Sequence, residues 1–148
     1  MATSRSTSEK KPGTAGKSAL VVVVEDDRAY ANVFERKLTM EGFSVTVYNS
    51  TEGVIDAITQ EKPAVMLLDL VLPGKSGFDL LQEIRADQRF KDVKIIISSN
   101  LSQPVDQKKA IETGADDYFI KSNVSIQEMV ERVKGVIAKP PKHTVNGI

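Results

Sequence analysis

Oxygen-bearing and cationic side chains recur in this sequence where runs of apolar residues end. Six such residues are Glu25, Asp26, Asp69, Ser98, Ser99 and Lys121. Carboxylates offer oxygen ligands to a hard divalent cation. A hydroxyl and an ammonium group both donate hydrogen bonds to anions. If the fold brings these residues together, they could therefore bind a metal ion beside an anionic group.

The three carboxylates favour magnesium over softer metals. Two like charges about 4 Å apart repel by roughly 4 kcal/mol at an effective dielectric constant near 20, so three carboxylates on one rim need a cation. Oxygen ligands with room for water suit Mg²⁺ better than zinc or copper. The sequence has no cysteine, and its one histidine, His143, lies close to Pro140 and Pro141. This composition excludes thiolate chemistry and argues against a Ser-His-Asp triad or a multi-histidine zinc site.

Elements that could position these residues follow from the hydrophobic pattern. Apolar runs predict strands at 19–25, 44–48, 64–69, 93–98 and 117–120. Amphipathic segments predict helices at about 28–41, 51–61, 77–89, 103–113 and 125–138. Five strand–helix units imply a parallel sheet with helices on both faces. Ligands bind beyond the carboxyl ends of such strands, which is where the polar residues fall.

The chain length and composition favour a single globular domain. We expect a disordered leader at 1–18, a folded domain at 19–138 and a flexible tail at 139–148. The folded part carries 14 basic and 19 acidic residues, which argues against direct nucleic-acid binding. No apolar run approaches the roughly 20 residues of a membrane span, and no secretory signal is evident. A cytoplasmic protein is therefore expected, with no membrane contact.

Four motifs in this order resemble the receiver domain of two-component response regulators: VVVEDD, LLDLVLPGKSGFDLL, IIISSN and GADDYFIK. The spacings resemble the family's as well, with 43 residues from Asp26 to Asp69, 30 from Asp69 to Ser99 and 52 from Asp69 to Lys121. The resemblance covers about 19–138. It implies an α/β fold of the flavodoxin-like, doubly wound type, with five helices and a five-stranded parallel sheet in the order 2-1-3-4-5.

The resemblance assigns a metal site and a phosphoacceptor. Asp69 would accept the phosphoryl group as an acyl phosphate. Glu25, Asp26, Asp69 and the backbone carbonyl of Val71 would hold Mg²⁺, with Asp26 a direct ligand and Glu25 acting through water. Asp27 fits an acidic residue at a helix N-terminus better than it fits a metal ligand.

The resemblance also assigns the switch residues. Ser99 would donate a hydrogen bond to the phosphoryl oxygen, although Ser98 competes with it for that role. Lys121 would supply positive charge. Tyr118 matches the family's switch aromatic, and the alternative is an ordinary core tyrosine with its hydroxyl at the surface.

Four residues depart from the family pattern. The family lysine is usually followed by proline, but Ser122 follows Lys121, so we expect a trans peptide bond or a strained cis bond there. Asn100 is larger than the usual residue and could crowd the site. Val71 and Leu101 are apolar neighbours of the path of attacking water, and we hypothesise that they prolong the phosphorylated state.

The sequence thus predicts a stand-alone phosphoacceptor receiver that switches a protein-interaction surface, a signalling domain rather than an enzyme. The expected partners are a sensor histidine kinase or phosphotransfer protein and a downstream protein that the sequence does not identify. Two alternatives remain open: a pseudo-receiver that binds proteins without phosphorylation, and a metal-dependent phosphotransfer or hydrolytic enzyme.

Overall fold

The computed structural model describes residues 18–140, in which five strands alternate with five helices. The elements are β1 Leu20–Val24, α1 Arg28–Met40, β2 Ser44–Tyr48, α2 Val54–Gln60, β3 Val65–Leu68, α3 Gly77–Arg85, β4 Lys94–Ser99, α4 Pro104–Thr113, β5 Asp117–Ile120 and α5 Ile126–Ala138. Short 3-10 turns at Gln88–Phe90 and Lys121–Asn123 precede β4 and α5. The predicted leader and tail lie almost wholly outside the described residues.

The sheet confirms the predicted topology. Its order is β2-β1-β3-β4-β5, and every neighbouring pair is parallel. The chain reverses its direction of travel across the sheet between β1 and β3. The carboxyl ends of these two strands therefore flank the crevice in which doubly wound folds bind ligands. Within the described part of the chain, no helix is long and apolar enough to cross a membrane.

Both faces of the sheet are covered, which explains the uninterrupted valines of β1. Val22 and Val24 lie in the core beneath α2, α3 and α4. Val21 and Val23 lie in the opposite core, beneath α1 and α5. Successive side chains of a strand point to opposite faces, so a strand with a dry core on each side is apolar at every position.

Two predicted helices are longer than the observed ones by four residues each, and local capping explains most of both differences. The second begins at Val54 rather than at 51, because Gly53 adopts a left-handed conformation (φ 79°) as its N-cap. The third ends at Arg85 rather than at 89. Asp87 is extended there, and its side chain accepts a hydrogen bond from Arg89 N, which starts a separate 3-10 turn.

Helix α4 is weakly packed along its length but anchored at its C-terminal end. Val105 is 67% exposed and Ile111 41% exposed, and Ala110 is fully buried. The buried Arg85 side chain donates hydrogen bonds to the carbonyl of Gly114, just past the helix, and to the Asp116 carboxylate. Helix α4 is thus weakly packed along its body and held at its C-terminal end.

Candidate functional site

Three of the predicted site residues meet at the carboxyl edge of the sheet. Glu25 follows β1, Asp69 follows the adjacent β3, and Lys121 begins the turn after β5. The Lys121 side chain reaches back over the sheet, and its Nζ lies 2.8 Å from Glu25 Oε1 and 2.9 Å from Asp69 Oδ2. All three side chains are at most 7% exposed.

The exposed Asp26 completes an acidic cluster. Carboxylate oxygens of Glu25, Asp26 and Asp69 lie within 4.8 Å of one another. Glu25 and Asp26 also line a surface cleft of about 520 Å³ between α1 and the end of β2. This compact set of oxygen ligands fits the requirements of a hard cation such as Mg²⁺.

The charges of the cluster leave an excess of negative charge. Among residues 18–140, Lys121 is the one cation paired with the buried carboxylates of Glu25 and Asp69. Burial raises the pKa of Glu25 above its ordinary value, and the nearby Asp69 charge adds to this effect, despite opposing hydrogen bonds from Lys121 and Asp27 N. Burial alone would lower the pKa of Lys121, but its two carboxylate partners raise it overall. A divalent cation would relieve the repulsion that one ammonium group leaves.

Asp27 caps a helix, in agreement with its interpretation as a residue at a helix N-terminus. Its Oδ1 accepts hydrogen bonds from Ala29 N at 2.9 Å and Tyr30 N at 3.1 Å at the start of α1. Its own N–H donates to Glu25 Oε2 at 3.0 Å. The backbone of this N-cap residue therefore holds Glu25, while its carboxylate binds the first turn of α1.

The loop after β3 holds Asp69 from two sides. Val71 N donates to Asp69 Oδ1 at 3.1 Å, so both carboxylate oxygens of Asp69 have a donor. Gly77 packs so tightly beneath this loop that a Cβ atom there would lie 2.0 Å from the Asp69 carbonyl oxygen. The Val71 side chain is 59% exposed. The role of the Val71 carbonyl as a metal ligand stays a prediction.

Ser98 and Ser99 belong to opposite faces of the sheet. Both lie inside β4, which ends at Ser99 rather than at 98 as predicted, because β4 keeps its pairing with β5 through Ser99. Ser99 is fully buried, and its Oγ accepts a hydrogen bond from Leu101 N at 3.2 Å. The Ser98 Oγ is buried and has no hydrogen-bond partner among the described residues.

Tyr118 meets the same loop as Ser99. Its hydroxyl donates to the Leu101 carbonyl at 2.8 Å, and burial is the main cause of the raised pKa of this phenol. The side chain is 8% exposed and belongs to the core under α4. Ser99 and Tyr118 therefore contact the two backbone polar groups of one residue, Leu101, at the start of the β4–α4 loop.

The two departures from the family pattern at Asn100 and Ser122 contact each other. Ser122 N donates to Asn100 Oδ1 at 2.9 Å, and Asn100 is exposed. Every peptide bond in the described part of the chain is trans, including the one before Ser122. Asn100 links the loops after β4 and β5, in contrast to the expectation that it could crowd the site.

Tyr30 also lies near the site, although its sequence pattern did not predict this. Lys121 Nζ lies 4.5 Å from the centroid of the Tyr30 ring. Tyr30 stands four residues after Asp26, in the first turn of α1, and this spacing places it at the same end of the molecule. The position of Tyr30 in the sequence could have indicated this contact. A tyrosine on an amphipathic helix, however, is usually interpreted as a packing residue.

Comparisons with known proteins agree on one family. The family model for the response regulator receiver domain matches residues 21–134 of this chain. A curated protein of Guillardia theta, "Probable transcriptional regulator ycf27", is 33% identical over 122 residues, which are 82% of this chain and 46% of that protein. The chain thus spans about half the length of this relative.

Solved structures show the same similarity. The receiver domain of the Francisella response regulator 1452 has a TM-score of 0.74 at 27% identity, covering 81% of this chain and 97% of that one. The BeF3-activated N-terminal receiver domain of Klebsiella pneumoniae RstA has a TM-score of 0.74 at 26% identity, covering 81% and 99%.

Proposed function

Since this chain belongs to the response regulator receiver family, we propose that it accepts a phosphoryl group on Asp69 in a Mg²⁺-dependent reaction. The observation that supports this most strongly is the arrangement around Asp69. One of its oxygens lies 2.9 Å from the Lys121 ammonium, and its carboxylate is within 4.8 Å of those of Glu25 and Asp26. A carboxylate oxygen would form a bond to phosphorus as the donor's bond to phosphorus breaks, and the leaving group would depart with the electron pair.

Glu25, Asp26, Asp69 and the Val71 carbonyl would hold the metal ion. Asp26 is exposed and suited to direct ligation, while Glu25 is set back and already accepts two hydrogen bonds. When bound, Mg²⁺ would screen the carboxylates from the anionic donor and align the phosphoryl group for attack.

Ser99 and Lys121 would bind the transferred phosphoryl group, and the Tyr118 side chain would respond to its binding. Lys121 is held next to Asp69 before any phosphoryl group arrives. Ser99 is engaged with Leu101 N, and its rotation toward a phosphoryl oxygen would release that bond. Because the Tyr118 hydroxyl contacts the same residue, movement of this loop would change the Tyr118 environment.

The output would be a change of the surface formed by α4, β5 and α5. The poorly buried α4 body requires few contacts to be broken when it shifts. A signalling role fits these features better than enzymatic turnover. We propose a sensor histidine kinase or a phosphotransfer protein as the phosphoryl donor and a protein as the downstream partner. The acidic balance of 19–138 supports the absence of direct nucleic-acid contact, and a cytoplasmic location is part of the same proposal.

The test is incubation with Mg²⁺ and a small acyl phosphate or amidophosphate, followed by intact-mass measurement and determination of donor consumed. We expect one phosphoryl group per chain, dependent on Mg²⁺ and absent from Asp69→Asn. No mass gain would support the pseudo-receiver alternative. Consumption of many donor equivalents with no phosphorylated protein formed at any time would support an enzyme and contradict the proposal.

A further inference from the structure

The Lys121 ammonium has a third partner besides its two carboxylates. Its Nζ lies 4.5 Å from the centroid of the Tyr30 ring, within the roughly 6 Å over which a cation is attracted to an aromatic face. The Lys121 side chain is 5% exposed, so little water screens the contact. Attraction between a cation and a ring is strongest where both are removed from water.

The ring is held in place by its own surroundings. Tyr30 N is bound by the Asp27 cap at 3.1 Å. The ring centroid lies 5.8 Å from that of Phe34, whose ring makes an edge contact with Phe119 in β5 at 6.4 Å. Tyr30 therefore joins the first turn of α1 to the strand that precedes Lys121.

This contact matters because the other two partners of Lys121 are proposed metal-site residues. Among the described residues, Glu25 and Asp69 are the carboxylates that pair with Lys121. When a divalent cation binds their oxygens, the ammonium loses negative charge nearby and meets a second cation. The neutral ring attracts the ammonium without neutralising it, and its attraction does not depend on the carboxylates.

We propose that Tyr30 is a positioning residue that keeps the Lys121 ammonium directed at the phosphoryl-binding site once a metal ion occupies the carboxylates. This inference rests on the proposed function. The alternative is that Tyr30 has only a packing role beside Phe34, which an aliphatic residue would fill equally well. The aromatic face, rather than the hydroxyl or the volume, is the feature that the proposal requires.

Three substitutions distinguish the positioning role from the packing role. Tyr30→Phe keeps the ring, Tyr30→Leu keeps apolar bulk without it, and Tyr30→Met is a second ringless variant in case Tyr30→Leu folds poorly. The first measurement is the NMR chemical shift of the Lys121 side-chain methylene protons, with and without Mg²⁺. We expect an upfield ring-current shift in wild type and Tyr30→Phe under both conditions and its loss in the two ringless variants.

The second measurement is the rate of phosphorylation by a small acyl phosphate at saturating Mg²⁺. We expect Tyr30→Phe to react within about twofold of wild type. The ringless variants should react on the order of tenfold more slowly at saturating donor, with little change in the donor KM. Wild-type rates in the folded ringless variants, or an equal loss in Tyr30→Phe, would overturn the positioning role.

The two proposals fail in different ways. If wild-type protein gains no phosphoryl group, the proposed function fails and the positioning role fails with it, although the ring-current shift would persist. If wild type is phosphorylated and the shift of Lys121 is absent with Mg²⁺ bound, only the positioning role fails.

Discussion

Replacement of Gly77 by alanine tests how closely the start of α3 supports Asp69. An added Cβ would lie 2.0 Å from the Asp69 carbonyl oxygen and 2.7 Å from the Leu70 Cα. Separations below 3.0 Å are not tolerated, so the backbone on one side must move by about 1 Å. Both obstructing atoms are backbone, and no flexible side chain can yield instead.

Two effects of this substitution oppose each other. Alanine favours a helix interior over glycine by about 0.5–1 kcal/mol, while insertion of an extra carbon into a packed core costs about 1–3 kcal/mol. The steric cost should win, since Gly77 is buried and lies at the first position of the helix. We therefore expect a free energy of unfolding about 1–2 kcal/mol lower than wild type, measured by urea denaturation with an unchanged slope.

The same displacement should impair the site. A shift of about 1 Å in a reacting group can slow a reaction by up to roughly a hundredfold, so the phosphorylation rate of Gly77→Ala should fall at least tenfold. Gly135→Ala is the matched control, because Gly135 lies in α5 and, apart from the adjacent backbone of the helix itself, no atom lies within 4 Å of the added Cβ. That variant should be stabilised by about 0.5–1 kcal/mol. If Gly77→Ala is as stable and reactive as wild type, the close support of Asp69 described above is refuted.

Three other changes test separate parts of the structure. Polar replacements of Val71 and Leu101, such as Val71→Asn with Leu101→Glu, should shorten the lifetime of the acyl phosphate by admitting attacking water; an unchanged decay rate argues against that role. Asp27→Ala should lower the free energy of unfolding by about 1 kcal/mol, since it removes the N-cap of α1; Asp27→Asn should restore most of it. Arg85→Met should cost about 3–5 kcal/mol, because it breaks a buried ion pair with Asp116, and a loss below 1 kcal/mol in thermal or urea unfolding would contradict the anchoring of α4.

The fold and the members of the site could largely be predicted from the sequence. The valines of β1 are apolar at every position because both faces of the sheet are covered, and that pattern is readable without a structure. Glu25, Asp69 and Lys121 could be grouped because each follows a strand, and the ends of parallel strands share one edge.

The contacts made by particular side chains could not be predicted in the same way. The spacing indicates that Lys121 is near Asp69, but the Tyr30 contact depends on the angle at which α1 crosses the sheet. Likewise, Asn100 and Ser122 each appear as an isolated departure in the sequence. Their hydrogen bond requires two loops that are 22 residues apart to adopt matching conformations, which only the folded chain determines.

The central claim is that the acidic cluster directs phosphorylation to one particular carboxylate. After incubation with Mg²⁺ and a small phosphoryl donor, borohydride reduction converts an aspartyl phosphate to homoserine, and peptide mass spectrometry locates it. Homoserine at position 69 alone, formed with Mg²⁺ and not without it, is the predicted result. The account would be contradicted if homoserine appeared at position 26 or at several positions. It would also be contradicted if no homoserine were detected in a protein whose fold is intact.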